Sequence, residues 1–176
     1  MILLSLGTHQ QAFPRALDLV EPLARDGADF VIQHGSTPPR PEIPNTVWIE
    51  FMPYSQVVDA MTKADSVVCH AGVGTIMTAL KAGHTPVVIA RQAQHGEHVD
   101  DHQRDIATRF AERGLVRWVT AETDLDALLT PRDESGARKI GKGSAELRAA
   151  VAQAVSAELS PWRRLPSVSL PRKLHP

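Results

Sequence analysis

The stretch "SVVCHAGVGTIMTALKAG", Ser66 to Gly83, decides the fold. It opens with a short apolar run of strand length, passes through two glycines, and continues as a helical pattern from Gly74 to Lys81. A strand feeding a helix through a glycine turn is one unit of a strand-helix alternation, and the same unit recurs on both sides. Upstream, "MILLSL" precedes a helical pattern from Phe13 to Arg25, and "ADFVIQ" precedes the proline-rich loop "STPPRPEIPN". "TVWIEF" then leads into a helix from Tyr54 to Lys63. Downstream come "PVVIA", a helix from Val99 to Arg113 ended by Gly114, and "LVRWV". Continuous rather than alternating apolar runs mark strands covered on both faces. The expected architecture is therefore α/β: a Rossmann-like, doubly wound, mostly parallel sheet of six strands.

The chain of 176 residues suffices for one well-buried domain, set by the series as residues 1–130. Nineteen basic side chains nearly cancel twenty acidic ones, leaving a formal charge of -1 and no electrostatic footprint for nucleic acid. No apolar run reaches membrane-spanning length, and "MILLSLG" enters a strand without a basic leader, so a cytoplasmic protein is expected. The single cysteine, Cys69, excludes an internal disulfide and reads as a buried core residue.

Past Leu129 the composition changes. Residues 131–143 read as a polar linker. Residues 144–159 read as a C-terminal helix whose stripe, Leu147, Val151, Val155 and Leu159, packs on the domain or on a partner. Residues 160–176 form a basic, proline-rich tail, read either as extended chain or as a docking arm for a protein or an anionic membrane surface.

In a sheet of order 3-2-1-4-5-6, ligands sit at the carboxyl ends of the strands where the winding reverses. The loops flanking that point are "GTHQQ", Gly7 to Gln11, and "HAGVGT", His70 to Thr75. Gly72 and Gly74 let backbone amides approach an anion, and the next helix offers its N-terminal dipole. Position 77 is methionine rather than the third glycine of a dinucleotide fingerprint, and no P-loop lysine follows. The alternative is a tight strand-to-helix turn that merely needs glycine.

A third cluster, "RQAQHGEHVDDHQ", begins at Arg91 where strand 5 ends. His98 and His102 lie at i, i+4 spacing with Glu97, Asp100 and Asp101 nearby, which admits a metal site, although the HExxH arrangement is absent. A solvated helix start and recognition of sugar hydroxyls are the other two readings.

"GTHQQAFPR", "FMPYSQVVDAMTKADSVVCHAGVGTIMTALKAG" and "GEHVDDHQ", taken in order, resemble the C-terminal, donor-binding domain of family 28 glycosyltransferases, in the stand-alone form of two-subunit lipid-linked sugar transferases. The resemblance implies one half of a GT-B fold and a nucleoside-diphosphate sugar, most often a UDP-sugar, as donor. It places Gly7, Thr8 and His9 in the loop facing the diphosphate, with His9 also the base candidate. Phe51 and Met52 fall where backbone passes the nucleobase, and His70, Gly72, Gly74 and Thr75 match the diphosphate loop. Arg91 adds positive charge, and His102 and Gln103 match the sugar-reading pair, beside which the polar cluster puts Glu97 and His98 as further donor-binding candidates. Thr78 departs from the family, which often carries a ribose-binding carboxylate there.

The resemblance further implies an inverting hexosyl transfer with neither metal nor cofactor. The acceptor, a lipid-linked sugar in exopolysaccharide synthesis, is expected on a membrane-associated partner subunit. Two rivals are a non-catalytic nucleotide-sugar-binding accessory subunit and a metal-dependent hydrolase built on His98 and His102.

Overall fold

A computed structural model describes residues 1–120, 123 and 125–129. Along them run β1 (Ile2–Ser5), α1 (Pro14–Arg25), β2 (Phe30–Gln33), β3 (Thr46–Ile49), α2 (Tyr54–Lys63) and β4 (Ser66–His70). These are followed by α3 (Val73–Ala82), β5 (Val87–Ile89), a 3-10 turn at Ala93–His95, α4 (His102–Glu112), β6 (Arg117–Trp118) and α5 (Leu125–Leu129). The strands form one six-stranded sheet in the order β3-β2-β1-β4-β5-β6. Every pairing is parallel, so the sheet is wholly rather than mostly so.

Alternate residues of each apolar strand face opposite sides, and each side has its own helices to bury them. Leu4, Ile32, Val68 and Val87 pack with α1 and α5 through Leu17, Val20 and Leu125. On the other face Cys69 and Val88 meet Ile76 and Leu80 of α3 and Phe110 of α4. Leu3 and Val67 meet Met61 of α2 on that side. The link from β2 to β3 has no helix: Ile43 joins the α1 core, and Thr37 Oγ1 accepts the Phe13 amide at the start of α1. Between this edge of the sheet and α2 lies a recess of about 360 Å³ lined by Met1, Val31, Ile49 and Met52 and, from α2, by Gln56 and Ala60 among others.

The spans agree with expectation at α2 and shift elsewhere. Helix α4 starts at His102, not Val99, because Gly96 turns the chain into the left-handed region and buried Glu97 anchors the segment that follows it. The ladder of β6 is only two residues long. The proposed linker, C-terminal helix and tail lie outside the described residues.

Candidate functional site

Strand β1 lies between β2 and β4, so the winding reverses there and the loops after β1 and β4 flank one crevice at the carboxyl ends of the strands. The two glycines of the second loop do different things. A Cβ on Gly72 would sit 2.3 Å from His70 Nε2, and one on Gly7, whose φ is +77°, would sit 2.6 Å from His70 Cε1. Both residues are glycine because the imidazole of His70 fills the space between them. A Cβ on exposed Gly74 would meet nothing within 4 Å. Gly74 lies in the first turn of α3, where amides lack intrahelical partners and the helix dipole is positive. Thr75 follows, half-buried, and Thr78 one turn later is buried with its hydroxyl donating to the Gly74 carbonyl at 2.8 Å.

Burial holds the His70 imidazole down at about 4, against a smaller opposing effect of its Nδ1 hydrogen bond to the Ser5 carbonyl. The ring is therefore neutral near pH 7 and contributes no positive charge to the loop. Because the unfolded chain binds this proton more readily, stability falls as pH drops from 6.5 toward about 4. The full loss from this group is roughly 3 kcal/mol. Urea unfolding at pH 7 and pH 4.5 should show most of that loss, and His70→Leu should make the pH profile shallower; an identical slope in the variant would contradict the assignment.

Beneath the crevice lies a buried clamp. Arg91, 1% exposed, donates from Nη1 to the carbonyls of Gln11 at 2.7 Å and Glu97 at 3.0 Å, and from Nη2 to that of Leu6 at 3.0 Å. Its guanidinium also lies 4.7 Å from the centre of the Phe13 ring. Glu97, likewise 1% exposed, receives a two-pronged contact from Arg15, at 3.0 Å from Nε and 2.7 Å from Nη2, and accepts the Gln92 amide. Arg91 and Glu97, both expected at the donor, are buried here and join the first loop to the segment after β5. Two guanidinium groups against one carboxylate leave this base positive. Arg15 is the contributor that sequence reasoning missed, since nothing in "FPR" marks a partner 82 residues away.

Gln33 makes a second brace. Its Oε1 accepts from Ser5 Oγ at 3.0 Å and from the Gly7 amide at 3.2 Å, while its Nε2 donates to the carbonyls of Gly7 and Glu50. The loops after β1 and β3 are thereby locked to one another. Met52, in the loop after β3, buries its side chain against the core beside α2, whereas Phe51 is exposed.

Above the clamp three imidazoles line up. His9 lies 4.5 Å from His98, and His98 lies 4.6 Å from His102, centre to centre. His98 precedes α4, so the loop rather than helical i, i+4 geometry brings the last pair together. Asp100 contacts Nδ1 of both His98 and His102. Burial raises the Asp100 carboxyl, but hydrogen bonds from His102 and the charges of both imidazoles outweigh it and carry the group below its usual range. Gln103 is buried, and its Oε1 accepts the Arg91 amide at 3.2 Å. His9 Nδ1 accepts the Gln11 amide at 3.3 Å, and burial followed by the charges of His98, Arg91 and His102 lowers its basicity. With Nδ1 taken by that amide, Nε2 is the nitrogen that His9, expected as the base, has left for a ligand. Thr8 is exposed at the tip of the same loop.

This six-stranded, wholly parallel, Rossmann-like sheet matches one half of the fold of solved glycosyltransferases. Three solved structures share it: "Crystal Structure Analysis of the Glycotransferase of kitacinnamycin" (TM-score 0.61, 22% identity, 94% of this chain and 43% of that one); the glycosyltransferase SnogD from Streptomyces nogalater (0.56, 24%, 92% and 43%); and CalG4, the calicheamicin glycosyltransferase (0.59, 17%, 94% and 44%). The chain spans less than half the length of each. Residues 1–157 match the model of the glycosyltransferase family 28 C-terminal domain, and the chain belongs to that family. No curated protein sequence matches the chain. Among the described residues no helix is long and apolar enough to cross a membrane.

Proposed function

We propose that the crevice binds the diphosphate of a nucleotide sugar, a UDP-sugar by the family resemblance, and that the chain passes the sugar to a lipid-linked acceptor in polysaccharide synthesis. The observation that carries this reading is open space over Gly74 at the N-terminus of α3, facing the first loop at the switch point. An anion there receives α3 amides, the helix dipole and, from below, the field of the clamp, with no metal in the role. Thr8, Thr75 and the Nε2 hydrogen of His9 are the side-chain donors to the departing diphosphate. His98, His102 and Gln103 line the sugar end, where a few placed polar groups set specificity.

The base that deprotonates the acceptor hydroxyl then comes from the acceptor-binding half. Coverage of 43–44% of the solved glycosyltransferases supports a half beyond these residues, and we assign it to a separate membrane-associated subunit. Such a partner would hold the chain at the inner face of the membrane. Phe51, Tyr54 and Val99, exposed by 64%, 67% and 77%, follow the carboxyl ends of β3 and β5 and offer apolar area to it. Thr78 favours a second reading, a non-catalytic nucleotide-sugar-binding subunit, because a hydroxyl already donating to Gly74 replaces the carboxylate that relatives use for ribose.

Co-expression with a candidate acceptor subunit, followed by assay of a panel of radiolabelled nucleotide sugars with membrane lipid as acceptor, tests both readings. The transferase reading expects sugar transfer by the pair and none by either chain alone, undiminished by EDTA. Binding of UDP-sugar without transfer, in a pair whose other member is active alone, would support the accessory reading.

A further inference from the structure

His98, Asp100 and His102 stand at the edge of the crevice in an arrangement that hydrogen bonding to a sugar does not require. His98 Nδ1 lies 3.0 Å from Asp100 Oδ1, and His102 Nδ1 contacts the same oxygen. Two imidazole nitrogens and one carboxylate oxygen thus lie within 4.8 Å of one another, a set that could hold a metal ion. The imidazoles stand nearly perpendicular, at 81°, so their nitrogens approach from different directions. His9 reaches the group from the opposite loop. The segment carrying the cluster is held on both sides: the Glu97 carbonyl and carboxylate are bound by Arg91 and Arg15, and Asp101 Oδ1 accepts the Ala93 amide at 2.8 Å.

We propose that His98, Asp100 and His102 bind one transition-metal ion of the Zn²⁺ class, and that occupancy of this site excludes the donor. Metal-ligand bonds of about 2.0–2.2 Å are within reach of these three atoms after small side-chain rotations, and a fourth position stays open for water. Two imidazoles with one carboxylate suit Zn²⁺, Cu²⁺ or Ni²⁺; Mg²⁺ prefers an oxygen shell. The ion draws on lone pairs of His98 and His102, so both rings lose the freedom to meet a sugar. The exclusion, though not the metal site itself, rests on the donor reading given above.

Isothermal titration of ZnCl₂ into the full chain should give one saturable equivalent, with no comparable binding of MgCl₂. His102→Ala and Asp100→Asn alter exposed side chains, so circular dichroism should be unchanged, while each should weaken Zn²⁺ binding at least about tenfold. His84→Ala, outside the cluster, should leave Zn²⁺ affinity as it is. Zn²⁺ affinity unchanged in both cluster variants, or Mg²⁺ binding as tight as Zn²⁺, would overturn the site. UDP-sugar titrated with and without saturating ZnCl₂ should bind at least about tenfold more weakly with the metal, by simple linkage of two competing ligands. Equal or tighter UDP-sugar binding in Zn²⁺ would overturn the exclusion. A chain that binds no UDP-sugar in either condition would refute the donor reading and with it the exclusion, while the ZnCl₂ titration still decides the metal site.

Discussion

Replacing Gly74 with valine is expected to abolish UDP binding, a loss of at least about 100-fold or 2.7 kcal/mol, with the fold intact. The added Cβ meets nothing within 4 Å, so no core contact is disturbed. Two methyl groups would instead stand in the space through which a phosphate oxygen approaches the α3 amides, and the lost interaction is with a charged ligand. Replacement of an exposed glycine in a helix alters stability by less than about 1 kcal/mol. Calorimetry with UDP and urea unfolding measured side by side check both halves. Unchanged UDP affinity in the folded variant would remove Gly74 from the site. Gly72→Ala is the contrast, since its Cβ would collide with the His70 ring and the damage should appear as lost stability.

Arg91→Met should lower stability by about 3–5 kcal/mol, the usual penalty for breaking a buried charged network by removing one partner. Methionine roughly preserves the stem against Phe13, but three carbonyls, those of Leu6, Gln11 and Glu97, lose their donor. Leaving buried acceptors unsatisfied is the larger part of the damage. For a domain whose total stability is of order 5–15 kcal/mol, the variant should be visibly unfolded in mild urea by tryptophan fluorescence. Arg91→Lys keeps the charge without the planar fork and should fall between the two. A loss below about 1 kcal/mol in Arg91→Met would show that the guanidinium does not hold the loops.

The architecture was readable because it depends on local patterns. Apolar strands such as "SVVC" and the helix from Tyr54 to Lys63 carry their periods in neighbouring residues, and the alternation of elements led to the sheet order and so to the switch point. What stayed hidden depends on contacts between distant residues. The pairing of Arg15 with Glu97 spans 82 positions, and no local pattern links the two. The start of α4, expected at Val99, moved for the same reason: Gly96 and the anchored Glu97 keep the segment up to Asp101 out of the helix. Gly7 and Gly72 were read as phosphate-loop glycines; their smallness also makes room for a histidine whose position between them no linear pattern encodes.

Gln33 and Arg91 together tie the loop after β1 to the loops after β3 and β5. Cross-braced in this way, the floor of the crevice has little slack with which to wrap around a ligand. On the donor reading proposed above, enclosure of the ligand falls to motion of the domain as a body rather than to these loops.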